Sequence, residues 1–515
     1  MSDLHLTNAR IWTADPARPT ASAITIRSGR ITAIDEAPNG EPVIDCGGDV
    51  VTPGLIDAHL HLLLGGDSLE TLDLSNATSR DEFEALIAEA DRTAAPDAWI
   101  IGNGWTQDNW AENHLPDMDW LRAAGSRPVV CWRTDWHAAL VNQPVLDRCR
   151  LPDDAPLQAE GGRQVRHPDG RPTGLLLEAA AWNHLQPVIP KPSTSRRRTH
   201  LLNAQRHAHR FGITAVRTME YAADILDVYQ PMRDQLTMRC SLVVLDRELP
   251  LQLDWIDDFV QDDRLFISGC KTFIDGTIGS RSARMLEDWA DRPGDRGMLV
   301  ELALEGQLDR WIASVHAAGL DAAAHAIGDE ATRIALNLSD QAVDDRRLTI
   351  EHAEVVHPDD VARVEGTWLS MQPLHRADDA RNAPTALGPD RTDRLAPFRR
   401  LQEAGAHLAF GSDWPIVSCD PMLGMHAATT GHTIDHVPFH PEQAIDAEAA
   451  LVAYTRDAAA CCRLADCGVL RVGAHGDCVR WNGDPMQVAE ESRRPSPQST
   501  ISSGNVVYDD GTRSA

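Results

Sequence analysis

The sequence contains no C-x-x-C pair, no run of about 18 apolar residues, and too few basic residues to balance its acids, and each lack removes a class of protein. Ten cysteines are present, but without that spacing, and with Cys461 and Cys462 adjacent, they suit buried thiols in a reducing compartment rather than a disulfide framework or zinc knuckle. The missing apolar run argues against a helical membrane span. The opening MSDLHLTNARIWTAD has no basic segment leading into an apolar one, so a cytoplasmic protein is expected. With 48 basic against 77 acidic residues the formal net charge is -29, a field that repels nucleic-acid phosphates and anionic membranes. The acids are scattered rather than gathered in a tail, so they read as a solvated surface and name no substrate.

What is present is the composition of a folded protein with a sizeable core, 43% hydrophobic and 24% charged over 515 residues. Eight β-like runs alternate with helical stretches through the middle of the chain: LIDAHLHL, GITAVRTME, MRCSLVVL, FISGCKTFIDG, LDAAAHAIGD, RLTIEHAE, TWLSMQP and HLAFGSDWP. That alternation predicts an α/β fold, a (β/α)8 TIM-like barrel. About 140 residues separate the first two runs, far more than one connection needs, so a large insertion is expected to cap the barrel mouth. Short alternating runs at both ends read as antiparallel strands with tight turns, and the termini are expected to pair into one small β-sandwich. The expected domains are a β-sandwich part at 1–53, the barrel at 54–455 with its insertion at about 66–205, and a helix plus β-sandwich part at 456–515. The Ser/Pro-rich SRRPSPQSTISSG reads as a surface loop.

Chemistry gathers at the ends of those runs. His59 and His61 form an H-x-H, and residues two apart on a strand point to the same side, so both imidazoles can reach one metal. Lys271 in GCKTFIDG, His325 in AAAHAIGD, His352 in TIEHAE and Asp413 in AFGSDWP follow, one per strand end, where barrel active sites lie. Taken alone, His325 or His352 reads equally well as a hydrogen-bonded core histidine, and Asp413 as a strand-end cap. Four such residues at four strand ends are not explained that way.

PGLIDAHLHL, NGWTQDNW, RTDWHAALVN, KTFIDGTIGSRSARM, HAIGDEAT, IEHAEVVHPDD, AFGSDWP and YTRDAAACCRL, in this order, resemble the amidohydrolase superfamily and, more closely, its YtcJ-like branch, which includes N-substituted formamide deformylases. The resemblance implies one or two divalent metals, zinc first among them, with His59, His61 and Asp413 at the more buried position and His325 and His352 at a second. Lys271 would bridge the two as a CO2-derived carbamate. An ammonium paired with a carboxylate such as Asp275 is the alternative. Asp413 would serve as general base and then acid for water made nucleophilic at the metal, while the other metal or His325 polarises a carbonyl. Trp105, His137, Arg281 and Trp414 would line the pocket.

The implied activity is cleavage of a C–N bond in a small amide-like molecule, an N-substituted amide or formamide foremost. Runner-up readings are a deaminase or cyclic-amide hydrolase and, from another class, a barrel that has lost catalysis and only binds. Lys271 favours amide cleavage, since deaminases of the superfamily usually manage without a lysine on the fourth strand. A small-molecule substrate is the expected partner, without nucleic acid or membrane, and a homodimer is an open assembly.

Overall fold

The computed structural model describes residues 3–107, 110, 115–339, 345–489 and 494–511. At its centre is an eight-stranded sheet of β1 (Leu55–Leu60), β2 (Ile213–Glu220), β3 (Arg239–Leu245), β4 (Leu265–Phe273), β5 (Asp321–Ala326), β6 (Leu348–His352), β7 (Trp368–Met371) and β8 (His407–Phe410), hydrogen-bonded in chain order. All seven ladders are parallel. Strands covered on both faces read as continuous apolar runs, which is why each coincides with one of the eight runs seen in the sequence.

β8 and β1 meet at a seam closed by a side chain. The Asp57 carboxylate on β1 accepts from the Ser412 N–H at 3.0 Å, the Ser412 hydroxyl at 2.5 Å and the His59 N–H at 3.1 Å. The Asp413 N–H donates to the His59 carbonyl at 2.7 Å. The approach is so close that a Cβ on Gly411 would stand 2.5 Å from the His59 nitrogen, so only glycine fits there. The seam thus locks the backbone of two prospective metal ligands together.

Between β1 and β2 the insertion forms a six-stranded sheet, ordered Gly162–Arg166, Pro172–Glu178, Ala138–Val141, Val129–Arg133, Ile100–Trp105 and Leu72–Asp73. Its helix Arg80–Thr93 starts at Ser79, whose hydroxyl accepts from the Glu82 N–H at 3.3 Å, while Glu82 reaches back to the Thr78 N–H at 2.7 Å. Such a cap contributes about 1 kcal/mol. The helix buries Phe83 and Ile87 against Trp105, Trp110 and Trp120 in a core belonging to the insertion.

Strands from both termini share one sheet, in which Cys478–Trp481 lies between Pro497–Ser502 and Val50–Pro53. A neighbouring four-stranded sheet contributes Leu6, Ile24 and Ile26 to the same apolar cluster as Ile11, Val51, Cys478 and Ile501. The sequence reading of antiparallel strands at the termini does not hold for every pair. Leu4–Thr7 pairs parallel with Val43–Asp45, and Arg10–Trp12 parallel with Val50–Pro53, because the Ile24–Arg27 and Arg30–Ile34 hairpin intervenes and returns the chain in its original direction. The tract SRRPSPQSTISSG is likewise no simple surface loop. Ser492 and Arg493 lie outside the described residues, but Pro497–Ser502 is an inner strand, with Thr500 and Ile501 fully buried and the Thr500 hydroxyl donating to the His209 carbonyl at 2.7 Å. All ten cysteines are buried free thiols. No helix of the described residues is long and apolar enough to cross a membrane.

Candidate metal and active site

His59, near the end of β1, and His61, just beyond it, direct their Nε2 atoms to Asp413 Oδ1 at 3.2 and 3.3 Å. Neither contact is aligned as a hydrogen bond, and this buried carboxylate oxygen has no hydrogen-bond partner. Ligands at about 2.1 Å around a tetrahedral cation stand ~3.4 Å apart, so the three atoms are spaced as neighbours in one coordination sphere. His59 is oriented from behind. Its Nδ1 donates to Glu351 Oε2 at 2.5 Å, and the other oxygen of Glu351 accepts from Arg217, all fully buried. A carboxylate behind a histidine fixes its tautomer and leaves Nε2 for a ligand.

Burial opposes ionisation of Glu351, but Arg217 and His59 outweigh it and hold the carboxyl far below its usual range. Asp413 behaves alike, with burial overcome by the field and close approach of His59 and by the contact with His61. Lys271, at the end of β4, brings Nζ within 3.0 Å of His59 Nε2. Burial pushes its ammonium down to about 8, against the pull of Asp413 and Glu351. Only two lysines occur in the chain, Lys191 and Lys271, so a lysine at this buried strand end stands out against a basic complement that is otherwise arginine.

A second set of ligand atoms converges on the same carboxylate. His352, His375 and Asp413 each offer one atom, all within 4.8 Å of one another. His352 Nδ1 is engaged by Gln372 Oε1 at 2.8 Å, and its Nε2 is buried without a partner, as is Nε2 of His375. Leaving a buried polar atom unpaired costs about 1–3 kcal/mol. Such unpaired atoms on residues that converge within 4.8 Å suit a cation. Burial first, then the neighbouring His325, keeps His352 well below its ordinary value, so the ring is neutral as a ligand must be. His352 and Asp413 both hold positive φ, 74° and 58°, a strained conformation for non-glycine residues that is typical of functional sites.

His375 was not anticipated from the sequence, and the expected partner of His352, His325, is held differently. His325 Nε2 makes a 3.1 Å hydrogen bond to the Gly276 carbonyl and stands 3.7 Å from Asp275, although its ring centroid is 4.5 Å from that of His352. A proton on Nε2 leaves Nδ1 as the lone-pair nitrogen of His325. Asp275 does not pair with Lys271. It accepts the N–H groups of Ile327, Gly328 and Arg284, and so organises the loops after β4 and β5.

Of the four expected pocket residues only His137 lines the cavity over the ligand cluster, with Arg133, Thr134 and Asp135 beside it on the insertion and Glu354 and His375 opposite. His137 Nδ1 bonds Glu178 at 2.7 Å, and the ring stacks on His325 at 5.1 Å. The other three are corrections. Trp105 packs inside the insertion core, its Nε1 donating to the Cys131 carbonyl at 2.7 Å. Arg281 is paired with Asp291 at 2.9 Å and donates to the Ile278 carbonyl. Trp414 turns away from the cavity and stacks on His207 at 5.1 Å. Each is an apolar or paired side chain that the packing of its own segment claims. Asp108 and Asn109 of the NGWTQDNW motif lie outside the described residues.

An eight-stranded parallel barrel with a histidine–carboxylate cluster at the C-terminal ends of its strands defines the class to which this architecture belongs. The chain belongs to the Amidohydrolase family, which it matches over residues 42–508. It is 32% identical to Protein LONG AFTER FAR-RED 3 of Arabidopsis thaliana, over 89% of this chain and 83% of that one. YtcJ of Bacillus subtilis (strain 168) is 27% identical, with 90% of each chain covered, and the N-substituted formamide deformylase of Arthrobacter pascens is 24% identical, with 95% of each covered. These place it in the YtcJ-like branch. Among solved structures, a metal-dependent hydrolase from Pyrococcus horikoshii OT3 superimposes with a TM-score of 0.77 at 27% identity, covering 96% of this chain and all of that one.

Proposed function

We propose that this chain is a metal-dependent hydrolase that cleaves the C–N bond of a small N-substituted amide or formamide. The observation that carries the reading is the convergence of His352, His375 and Asp413, with His352 Nε2, His375 Nε2 and Asp413 Oδ1 each buried without a hydrogen-bond partner and with His59 and His61 on the same carboxylate. The name of the Arthrobacter pascens relative supplies the substrate class. His59, His61 and Asp413 would hold one cation, and His352 with His375 or His325 a second, zinc suiting this imidazole and carboxylate set. When bound, the metal supplies Lewis acidity that acidifies water and polarises a carbonyl.

The rest falls to the side chains. Asp413, kept ionised, takes the proton of the attacking water and returns it to the leaving nitrogen. His325, whose Nε2 proton is held by the Gly276 carbonyl, has no free N–H for the substrate carbonyl and offers Nδ1 as a ligand nitrogen instead. Glu351 and Gln372 hold His59 and His352 in their ligand tautomers. Lys271 is the amine that CO2 would carboxylate, its nitrogen gaining the carbon and losing a proton, and it would then offer the site an anionic ligand. We further read the terminal sheets as one β-sandwich beside the barrel, and the protein as a cytoplasmic enzyme acting on a small molecule.

The test is metal analysis of purified protein, followed by amine-release assays on a panel of N-formyl and N-acyl amines beside ring amidines. Hydrolysis of formamides or amides that is lost with chelation and restored by zinc is the expected result. Ammonia release from ring amidines alone would replace this reading with that of a deaminase.

A further inference from the structure

The cavity over the ligand cluster is small, about 50 Å³. A second chamber of about 390 Å³ adjoins it. Arg133 lines both, and so does the turn that follows β4, with Thr277 and Gly279 facing the ligand cluster and Ser280 the chamber. A Cβ on Gly279 would stand 2.2 Å from the Arg133 guanidinium, so a glycine there is what lets the arginine lie flat against the turn. The chamber has an apolar floor that includes Leu157 and Leu177, and its walls carry four arginines, Arg133, Arg163, Arg166 and Arg292.

Two of these are committed. Arg133 pairs with Asp135 at 2.5 Å, and Arg166 binds both oxygens of Asp154. The other two are under-compensated in a chain that has 77 acidic residues to draw on. Arg163 reaches Asp295 only at 4.0 Å. Arg292 has no carboxylate within 4.0 Å among the described residues, and its guanidinium makes one hydrogen bond, a 3.5 Å contact to the Ser280 carbonyl. Burial, and then the neighbouring Arg281, disfavours its charge, against the weaker pull of Asp291 and Asp295. An anion between Arg163 and Arg292 would relieve this arrangement, and guanidinium forks match a carboxylate. The floor beneath them matches a hydrocarbon chain.

We propose that the chamber receives the amine-side part of the substrate, a short hydrocarbon chain ending in a carboxylate that Arg292 and Arg163 bind. This rests on the reading of the site as that of an N-substituted amide hydrolase and names the class of amide.

Two measurements separate the claims. Calorimetric titration with hexanoate, which cannot react, should show binding that weakens at least tenfold in Arg292→Gln and in Arg163→Gln and less in Arg292→Lys, with thermal melts checking that each variant is folded. Inorganic phosphate, which lacks the chain, should bind more weakly than hexanoate. Kinetically, N-formyl ω-amino acids of two to six methylenes should surpass the matching N-formyl alkylamines in kcat/KM by tenfold or more at the best length, and Arg292→Gln should erase that preference through KM. If hexanoate binds in an arginine-dependent way but no formamide is hydrolysed, the chamber stands and the reaction reading falls. The chamber proposal is overturned if hexanoate does not bind, if phosphate binds as well, if the Arg292 variants bind equally, or if charged and neutral formamides are cleaved alike.

Discussion

Two stacks of aromatic rings lie within the molecule, and they are built to opposite ends. At the barrel mouth the rings of His59, His325 and His375 cluster round His352, with centroid separations of 5.0, 4.5 and 5.7 Å, and His137 stacks on His325 at 5.1 Å. In the insertion core Trp110 stacks on Trp105 at 5.9 Å and leans on Trp120 at 5.0 Å. Both groups are buried and equally crowded. The difference is in the polar atoms. The indole N–H groups of Trp105 and Trp110 close on the carbonyls of Cys131 and Ala77, at 2.7 and 2.9 Å. At the mouth the near-side nitrogens of His352 and His375 stay open while the far-side nitrogen of His352 is tied down. A packed ring with its polar atom satisfied stabilises the fold, and one whose open atom faces other open atoms is prepared for a ligand.

The comparison breaks most sharply at Asp413. Asp413→Asn keeps the shape and removes the charge on which both ligand sets converge, so kcat should fall by about 10²–10⁴ and bound metal should drop in elemental analysis. Activity within tenfold of wild type would detach Asp413 from catalysis. Next comes Lys271→Ala, with an expected loss on the order of 100-fold, since a bridging ligand should matter at least as much as an outer-shell partner. Short carboxylic acids should restore part of the activity, and Lys271→Arg should not, because a guanidinium forms no carbamate. Near-native turnover by the arginine variant would reduce Lys271 to a cation.

Gln372→Ala frees His352 Nδ1, and metal affinity measured by competition with a chelator should weaken about 10–100-fold. In the tryptophan stack, Trp105→Phe leaves the Cys131 carbonyl without its donor. About 1–3 kcal/mol of stability should be lost in denaturant titration, with kcat per folded molecule retained. A last case concerns a histidine of the closed kind. His209 is buried with its nitrogens on the Ile213 carbonyl and Thr237 hydroxyl, each at 2.8 Å, and burial, opposed by the Ile213 carbonyl, lowers its pKa to about 4. Protons then bind the unfolded chain first, so stability falls as pH drops from about 6.5 to 4, by about 3 kcal/mol in total. His209→Gln should flatten that part of the pH–stability curve, and an unchanged slope would show that the ring is not held neutral.

How far the chain could be read follows from the range over which each signal acts. All eight barrel strands were legible, because parallel strands buried on both faces are unbroken apolar runs. His59 with His61, Lys271, His325, His352 and Asp413 could be picked out as candidates because alternation along a strand sends residues two apart to one side, and because strand ends are where barrels place chemistry. His375 was not. It sits on the short helix Pro373–Asp379 after β7, and nothing in QPLHRADD says that this helix folds its third residue back over Asp413. Glu351 stands beside His352 in the chain, yet its partner is His59, 292 residues away, and only barrel closure brings them together. Trp105, Arg281 and Trp414 lie in motifs beside the site, but whether such a side chain faces the cavity is decided by the packing of its own segment. By itself the sequence determined the barrel and the ligand types at its strand ends, since these depend on local periodicity. The tertiary structure alone decided which ring nitrogens are tied down and which stay open, because that depends on distant strands, inserted loops and a seam brought within hydrogen-bonding distance only by folding.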